Sequence, residues 1–256
     1  MEEVKSWNEA ATDYQKVFKY GLNEYNKNLL AFFVDNGLLR PGCRVLDIGC
    51  GVGKYGSYFA ELGCDVTLTD ISPVMLEHAA ENMSAFDTPW RSVQGDFAEL
   101  EPEVLSGGEV FDLSISMMSP AVRELAGVKK MSSLTRGWCF MASFVEWKQK
   151  IRDEFYRRMG IQQTHSSDIT SSAPTLIREV SAAGFTPLVK YVPYDWCDER
   201  SPGEAAEYLM KRSGREYSSA DFIRAEEVAA ALADERGVFI DSVNTKVVWI
   251  YWNTEG

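Results

Sequence analysis

The residue types able to do chemistry gather in one short stretch, Val45-Leu46-Asp47-Ile48-Gly49-Cys50-Gly51-Val52-Gly53-Lys54-Tyr55. An apolar run, a glycine-rich turn and the start of a helix, in that order, mark the place where an open parallel sheet holds its ligand. Glycines let the turn be tight and let a ligand approach bare backbone. The spacing is G-x-G-x-G, at Gly49, Gly51 and Gly53. The third glycine of a dinucleotide-type G-x-G-x-x-G would fall on Lys54, whose side chain obstructs close helix–strand packing. Asp47, two residues ahead of the first glycine, opposes a pyrophosphate but suits a ligand that carries an ammonium group. Asp70 ends the next apolar run, where an acceptor can pair with ribose hydroxyls. Asp96 ends a third, where a carboxylate can accept from an exocyclic amine. Together the positions describe an adenosine with a zwitterionic amino-acid tail and no phosphate. Each has a plainer use as well, since turns are rich in glycine and helix starts in aspartate.

These side chains must be placed by the elements around them. Strands are expected at 43–48, 64–69, 91–95, 110–117, 137–145, 185–192 and 245–252. Between them lie helical patterns at 54–62, 73–83 (Ser72 as cap, Pro73 at its first position), 120–130 (Ser119-Pro120) and 173–183. Strands alternating with helices of this length predict an α/β three-layer sandwich around a seven-stranded, mostly parallel sheet. Upstream, Ser6 to Glu9 reads as a capping box opening one helical stretch to about residue 35. Residues 1–256 are expected to form a single domain with a helical leader at 1–40 over the ligand site. Two insertions, 147–172 and 196–240, would form a lid. The second contains helices opened by Ser201-Pro202-Gly203-Glu204 and by Ser218 with Asp221.

Composition bounds what such a chain can do. Lys and Arg number 26 against 38 Asp and Glu in 256 residues, a net charge of −12. That balance argues against a protein that grips nucleic acid through its phosphates. Five cysteines without a CxxC fit a reducing compartment better than a disulfide framework. The first residues carry no apolar run and 137–147 is too short to cross a bilayer, so a cytoplasmic protein without membrane contact is expected. His78 and His165 lie far apart with no ligand spacing around them, so no metal is expected.

With Asp47, the three glycines, Asp70 and Asp96 in this order, the sequence resembles the class I, Rossmann-like methyltransferases that use S-adenosylmethionine. The resemblance covers about 40–145 well, and 173–193 with 245–252 more loosely. It implies S-adenosyl-L-methionine as cofactor, with Asp47 near its methionine end. The loop residues Gly49, Cys50, Gly51 and Gly53 would line it, Asp70 would hold the ribose, and Ile71 would lie against adenine. Asp96 would reach adenine N6 with Phe97 beside the ring, and Ser116, in the segment to Pro120, would border the methyl group. The leader of related proteins often folds over the cofactor, which would bring Tyr20 or Tyr14 near the methionine carboxylate.

The acceptor is less legible. Ser116-Met117-Met118-Ser119-Pro120 replaces the Asn/Asp-Pro-Pro-aromatic motif of amino methyltransferases acting on DNA and RNA, and no cysteine stands near it to attack a cytosine. The expected reaction is in-line methyl transfer to an N, S or O nucleophile of a small-molecule acceptor, achieved chiefly by positioning. His165 is the candidate base. Trp147, Tyr156, Trp196 and Tyr208 could line an apolar acceptor pocket. Methylation of a protein or peptide side chain, or a cofactor-binding module without turnover, are the alternatives. A monomer or a dimer is equally consistent with the chain.

Overall fold

A parallel pair of strands needs a crossover long enough to bring the chain back, and the helices between apolar runs supply it. The computed structural model describes residues 2–17, 23–162, 173–213 and 217–255. In chain order the elements are α1 (Glu2–Val17), α2 (Glu24–Asp35), β1 (Arg44–Ile48), α3 (Lys54–Glu61), β2 (Asp65–Asp70) and α4 (Pro73–Met83). Then come β3 (Trp90–Gln94), α5 (Pro102–Ser106), β4 (Phe111–Met117), α6 (Glu124–Ser133), β5 (Thr135–Lys148) and α7 (Lys150–Met159). The rest are α8 (Ala173–Ala182), β6 (Leu188–Pro193), β7 (Trp196–Arg200), α9 (Pro202–Arg212), α10 (Ser219–Ala230) and β8 (Phe239–Asn253).

The sheet runs β3-β2-β1-β4-β5-β8-β6, with β7 paired to β8. The β1–β2, β1–β4, β2–β3 and β4–β5 pairs are parallel, and β7–β8 is antiparallel. Strand order therefore reverses beside β1, between β2 and β4. The residues leaving the carboxyl ends of β1, β2 and β4 face a switch point of the kind where α/β sheets bind ligands. The mixed α/β sheet agrees with the fold expected from the sequence, with one strand more among the described residues than the seven expected.

The chain divides into two compact units. The first comprises Met1–Ser143, Ser172–Tyr191 and Val248–Gly256. Its central strands read as near-continuous apolar runs because helices cover a parallel sheet. Val45, Leu46, Ile48, Val66, Leu68, Leu113, Ile115 and Phe140 are all buried. Trp249 and Trp252 are buried with their indole N–H groups satisfied, one donating to Tyr25 Oη and the other to Ser132 Oγ, each at 3.0 Å.

The second unit comprises Phe144–Ser171 and Val192–Val247. Phe155, Tyr156, Leu209, Met210, Ala225, Ala229 and Phe239 make its core. Beneath them Arg152 and Asp241, both buried, form a two-pronged ion pair. Capping boxes at Ser201–Glu204 and Ser218–Asp221 open α9 and α10, as their sequences indicate.

Local structure departs from expectation in three places. The leader is not one helix from Ser6. Among the described residues α1 starts at Glu2, so Ser6 lies within it, and Asn23 caps a separate α2 by accepting from the Asn26 N–H at 2.8 Å. Ser119-Pro120 does not begin a helix. Ser119 Oγ accepts from the Ala121 N–H at 3.2 Å, which closes a turn, and α6 begins four residues later. Finally β7, with Asp198, Glu199 and Arg200, lacks the apolar character of a strand. It forms because β8 reaches back to Phe239 and offers an edge.

Candidate active site

The loop after β1 is built from three left-handed glycines with different duties. Gly49, Gly51 and Gly53 have φ of 69°, 54° and 77°. A Cβ at Gly49 would lie 1.9 Å from Ser119 Oγ and 2.8 Å from Ser119 Cβ, so this glycine makes room for the turn after β4. A Cβ at Gly53 would lie 3.1 Å from Ala79 Cβ and 3.2 Å from Ala79 Cα, so it allows α4 to approach. A Cβ at Gly51 would meet only Met75 Sδ, at 4.0 Å. Of the three, Gly51 alone leaves a side that no described residue fills.

Asp47 sits one residue before the end of β1 and is almost wholly buried. Its Oδ2 has no hydrogen-bond partner among the described residues. A buried carboxylate oxygen without a partner is costly, and it marks a place where a donor is expected to arrive. Burial drives the Asp47 pKa from 3.8 up to about 7; the Gly56 backbone N–H opposes this and the nearby Asp70 adds to it. Cys50 is buried, with Sγ 3.5 Å from the Gly51 carbonyl oxygen. Burial, helped by Asp47 and Asp70, holds its thiol well above the usual range, so it is no nucleophile at neutral pH.

Asp70, half-buried at the end of β2, ties the glycine loop to the start of α4. Its Oδ2 accepts from the Gly51 N–H and its Oδ1 from the Ser72 N–H, both at 2.9 Å. Each carboxylate oxygen has a second lone pair, so capacity remains for hydroxyl donors. Burial raises its pKa, against the backbone N–H groups of Ser72, Gly51 and Ile71. Ser72, which caps α4 through the Met75 N–H at 3.1 Å, also donates to Asn8 Oδ1 of α1 at 2.7 Å. Asn82 of α4 donates to the Val52 carbonyl of the glycine loop at 2.8 Å and exchanges amide hydrogen bonds with Gln15 of α1. Asn8, Asn82 and Gln15 are site-supporting residues that sequence reasoning missed; polar residues on a leader helix give no signal of a partner more than sixty residues away.

Past β3, Asp96 closes a turn by accepting from the Ala98 N–H at 2.9 Å, and Phe97 is buried. Ser116, buried near the end of β4, donates to the Ile48 carbonyl at 3.2 Å and holds β4 to the end of β1. Gly49, Cys50, Gly51 and Gly53 thus share the loop that follows Asp47 near the end of β1. Asp70 and Ile71 leave the adjacent strand, and Asp96 and Phe97 the one beyond it. Tyr20 and His165, named from the sequence, lie outside the described residues. Tyr14 is half exposed. In the second unit Tyr156 is core, its hydroxyl donating to the Leu209 carbonyl at 2.9 Å, while Tyr208 lies under the Arg200 guanidinium.

An acid with one oxygen unpartnered among the described residues, an open glycine backbone and a second acid beside it fit a nucleoside with an amino-acid tail. Comparison with known proteins agrees on the class. Residues 45–135 match the family model described as a methyltransferase domain. A ribosomal RNA large subunit methyltransferase E from Sorangium cellulosum is 36% identical over 87 residues, 33% of this chain and 37% of that protein. A ubiquinone biosynthesis O-methyltransferase from Xanthomonas campestris is 38% identical over 66 residues, 24% of this chain and 27% of that protein. The chain thus spans well under half the length of these curated relatives. Magnesium protoporphyrin IX methyltransferase from Synechocystis, solved with S-adenosylhomocysteine, shares the fold. Its TM-score is 0.53 at 17% identity, over 95% of this chain and 96% of that one. Residues 45–135 thus match a methyltransferase-domain family model, and the sheet around them has the class I, Rossmann-like fold.

Proposed function

We propose that this protein transfers a methyl group from S-adenosylmethionine to a nitrogen, sulfur or oxygen nucleophile of a small molecule. The observation that carries the reading is the buried, unpartnered Asp47 oxygen beside the open backbone of Gly51. S-adenosylmethionine, when bound, supplies an electrophilic methyl group on a positively charged sulfur. Asp47 would accept from the donor groups at the amino-acid end. Asp70 would accept from the ribose hydroxyls while keeping its backbone N–H partners, and Asp96 would accept from the adenine amine. Gly51 lets the ligand lie against the loop without a side chain in the way. Displacement from a sulfonium demands alignment above all, so pre-set binding groups account for much of the acceleration. We assign acceptor selection to the second unit, because inserted segments on a rigid scaffold usually carry recognition.

The net charge of −12 favours a neutral or cationic small acceptor over RNA. The ribosomal RNA relative supports nucleic acid as the second reading. Transfer of a labelled methyl group separates the two. Label should enter a filtered pool of small metabolites and not total ribosomal RNA. Label in RNA alone would overturn the small-molecule assignment. Absence of any melting shift with saturating S-adenosylhomocysteine would overturn the methyl-donor reading itself.

The raised Asp47 pKa gives a pH prediction. A ligand ammonium prefers the ionised carboxylate, so affinity for S-adenosylhomocysteine should rise between about pH 6 and 8, with release of a proton on binding. Without ligand the sign is opposite. A carboxyl raised from 3.8 to about 7 favours the folded state most below 3.8, and that contribution is lost as pH climbs through 7. Calorimetric titration of the wild type and Asp47→Asn at several pH values checks this. A wild-type profile as flat as the variant's would refute it.

A further inference from the structure

The turn that follows Asp96 is held from an unexpected direction. Within it the Glu99 and Leu100 N–H groups donate to the Asp96 carbonyl at 2.9 and 3.0 Å, and Ala98 N–H donates to Asp96 Oδ1. This single turn leaves its later carbonyls pointing outward, as the end of a helix does. Lys130, on α6, places its ammonium there. Nζ donates to the carbonyls of Phe97, Ala98 (3.2 Å) and Leu100, which takes up all three of its protons. The same ammonium lies 5.0 Å from the centre of the buried Phe97 ring. The preceding residue, Gly95, is anchored on the other side through its N–H to the Asp70 carbonyl at 3.0 Å, with Leu100 packed where a Cβ of residue 95 would be. The 96–100 turn therefore rests on two supports, the end of β2 and one lysine.

From these contacts we infer that Lys130 is a positioning residue for base recognition, fixing the turn that presents Asp96 to the adenine. This rests on the proposed placement of the cofactor base. Lys130 makes no contact with the ligand in this scheme. It acts by cancelling the free carbonyls of the turn, so that Asp96 is held in place before the base arrives and no ordering cost falls on binding. An uncharged side chain of the same length would leave the carbonyls to water and the turn free to shift.

The test is calorimetric titration of the full chain with S-adenosylhomocysteine and with S-inosylhomocysteine, which lacks the exocyclic amine. Lys130→Met keeps the stem over Phe97 and removes the ammonium, and Lys130→Arg restores a donor. The expected result is about a tenfold or greater loss of S-adenosylhomocysteine affinity in Lys130→Met. The loss for the inosyl analogue should be under about threefold, and Lys130→Arg should recover most of the difference. Equal losses for both ligands would make the lysine merely structural and overturn the inference, as would wild-type affinity for both. If Lys130→Met does not fold, Lys130→Gln is read by the same ratio. A wild type that binds neither nucleoside would instead bring down the cofactor reading, a result recognisable before any variant is made.

Discussion

Asp70→Ala is expected to weaken S-adenosylhomocysteine by well over tenfold, more than about 1.4 kcal/mol. Two losses combine. The acceptors proposed for the ribose hydroxyls disappear, and hydrogen bonds to a charged group are worth about 1.5–3 kcal/mol each. The Gly51 and Ser72 N–H groups also lose the carboxylate that joins the glycine loop to the start of α4. Asp70→Asn, which keeps one carbonyl acceptor but no charge, should fall between alanine and wild type. Isothermal titration at constant pH reads both variants. Wild-type affinity in the alanine variant would remove Asp70 from the binding site.

Asp241→Ala should have the largest effect on stability. It leaves the guanidinium of Arg152, only 6% exposed, without the carboxylate that accepts from both its Nε and Nη2. Arg200, whose Nη1 lies 3.8 Å from Asp241, loses the same neighbour. Removing one member of a buried pair costs about 3–5 kcal/mol, because the remaining charge stays desolvated. That corresponds to a melting point lower by about 10 °C. The double variant Arg152→Met with Asp241→Leu should recover most of it, since apolar residues of similar volume need no partner. Differential scanning calorimetry decides. A drop of under about 2 °C in Asp241→Ala would show the pair to be dispensable.

The parts of this protein that could be read from its sequence are those set by neighbours along the chain. The run from Val45 to Lys54 announces strand, turn and helix because apolar patterning, left-handed glycines and a helix start are all local. The same holds for Ser72-Pro73 at the head of α4, which begins where the two residues indicate. Illegible were the features settled across distance. Nothing in Trp196 to Arg200 suggests a strand until β8 lies beside it. Arg152 and Asp241 are 89 residues apart, and each alone reads as a surface charge. Lys130 reaches three carbonyls about thirty residues earlier, a contact that no local pattern around it announces. The glycines are the most instructive case. Their pattern indicated a ligand-binding loop, but which of them faces open space depends on Ser119 and Ala79, which no local motif brings to mind.

The crowding of Gly49 by Ser119 has a consequence for how this chain can change. The two positions form one steric unit, so their substitutions should show epistasis in place of additivity. A methyl group at 49 is intolerable while serine stands at 119, and trimming 119 to glycine is a precondition for it, with the Ala121 Cβ at 3.1 Å and the left-handed φ at 49 still to be overcome. A mutational path through this corner of the molecule is therefore ordered: Ser119, in the turn after β4, must shrink before Gly49 can grow.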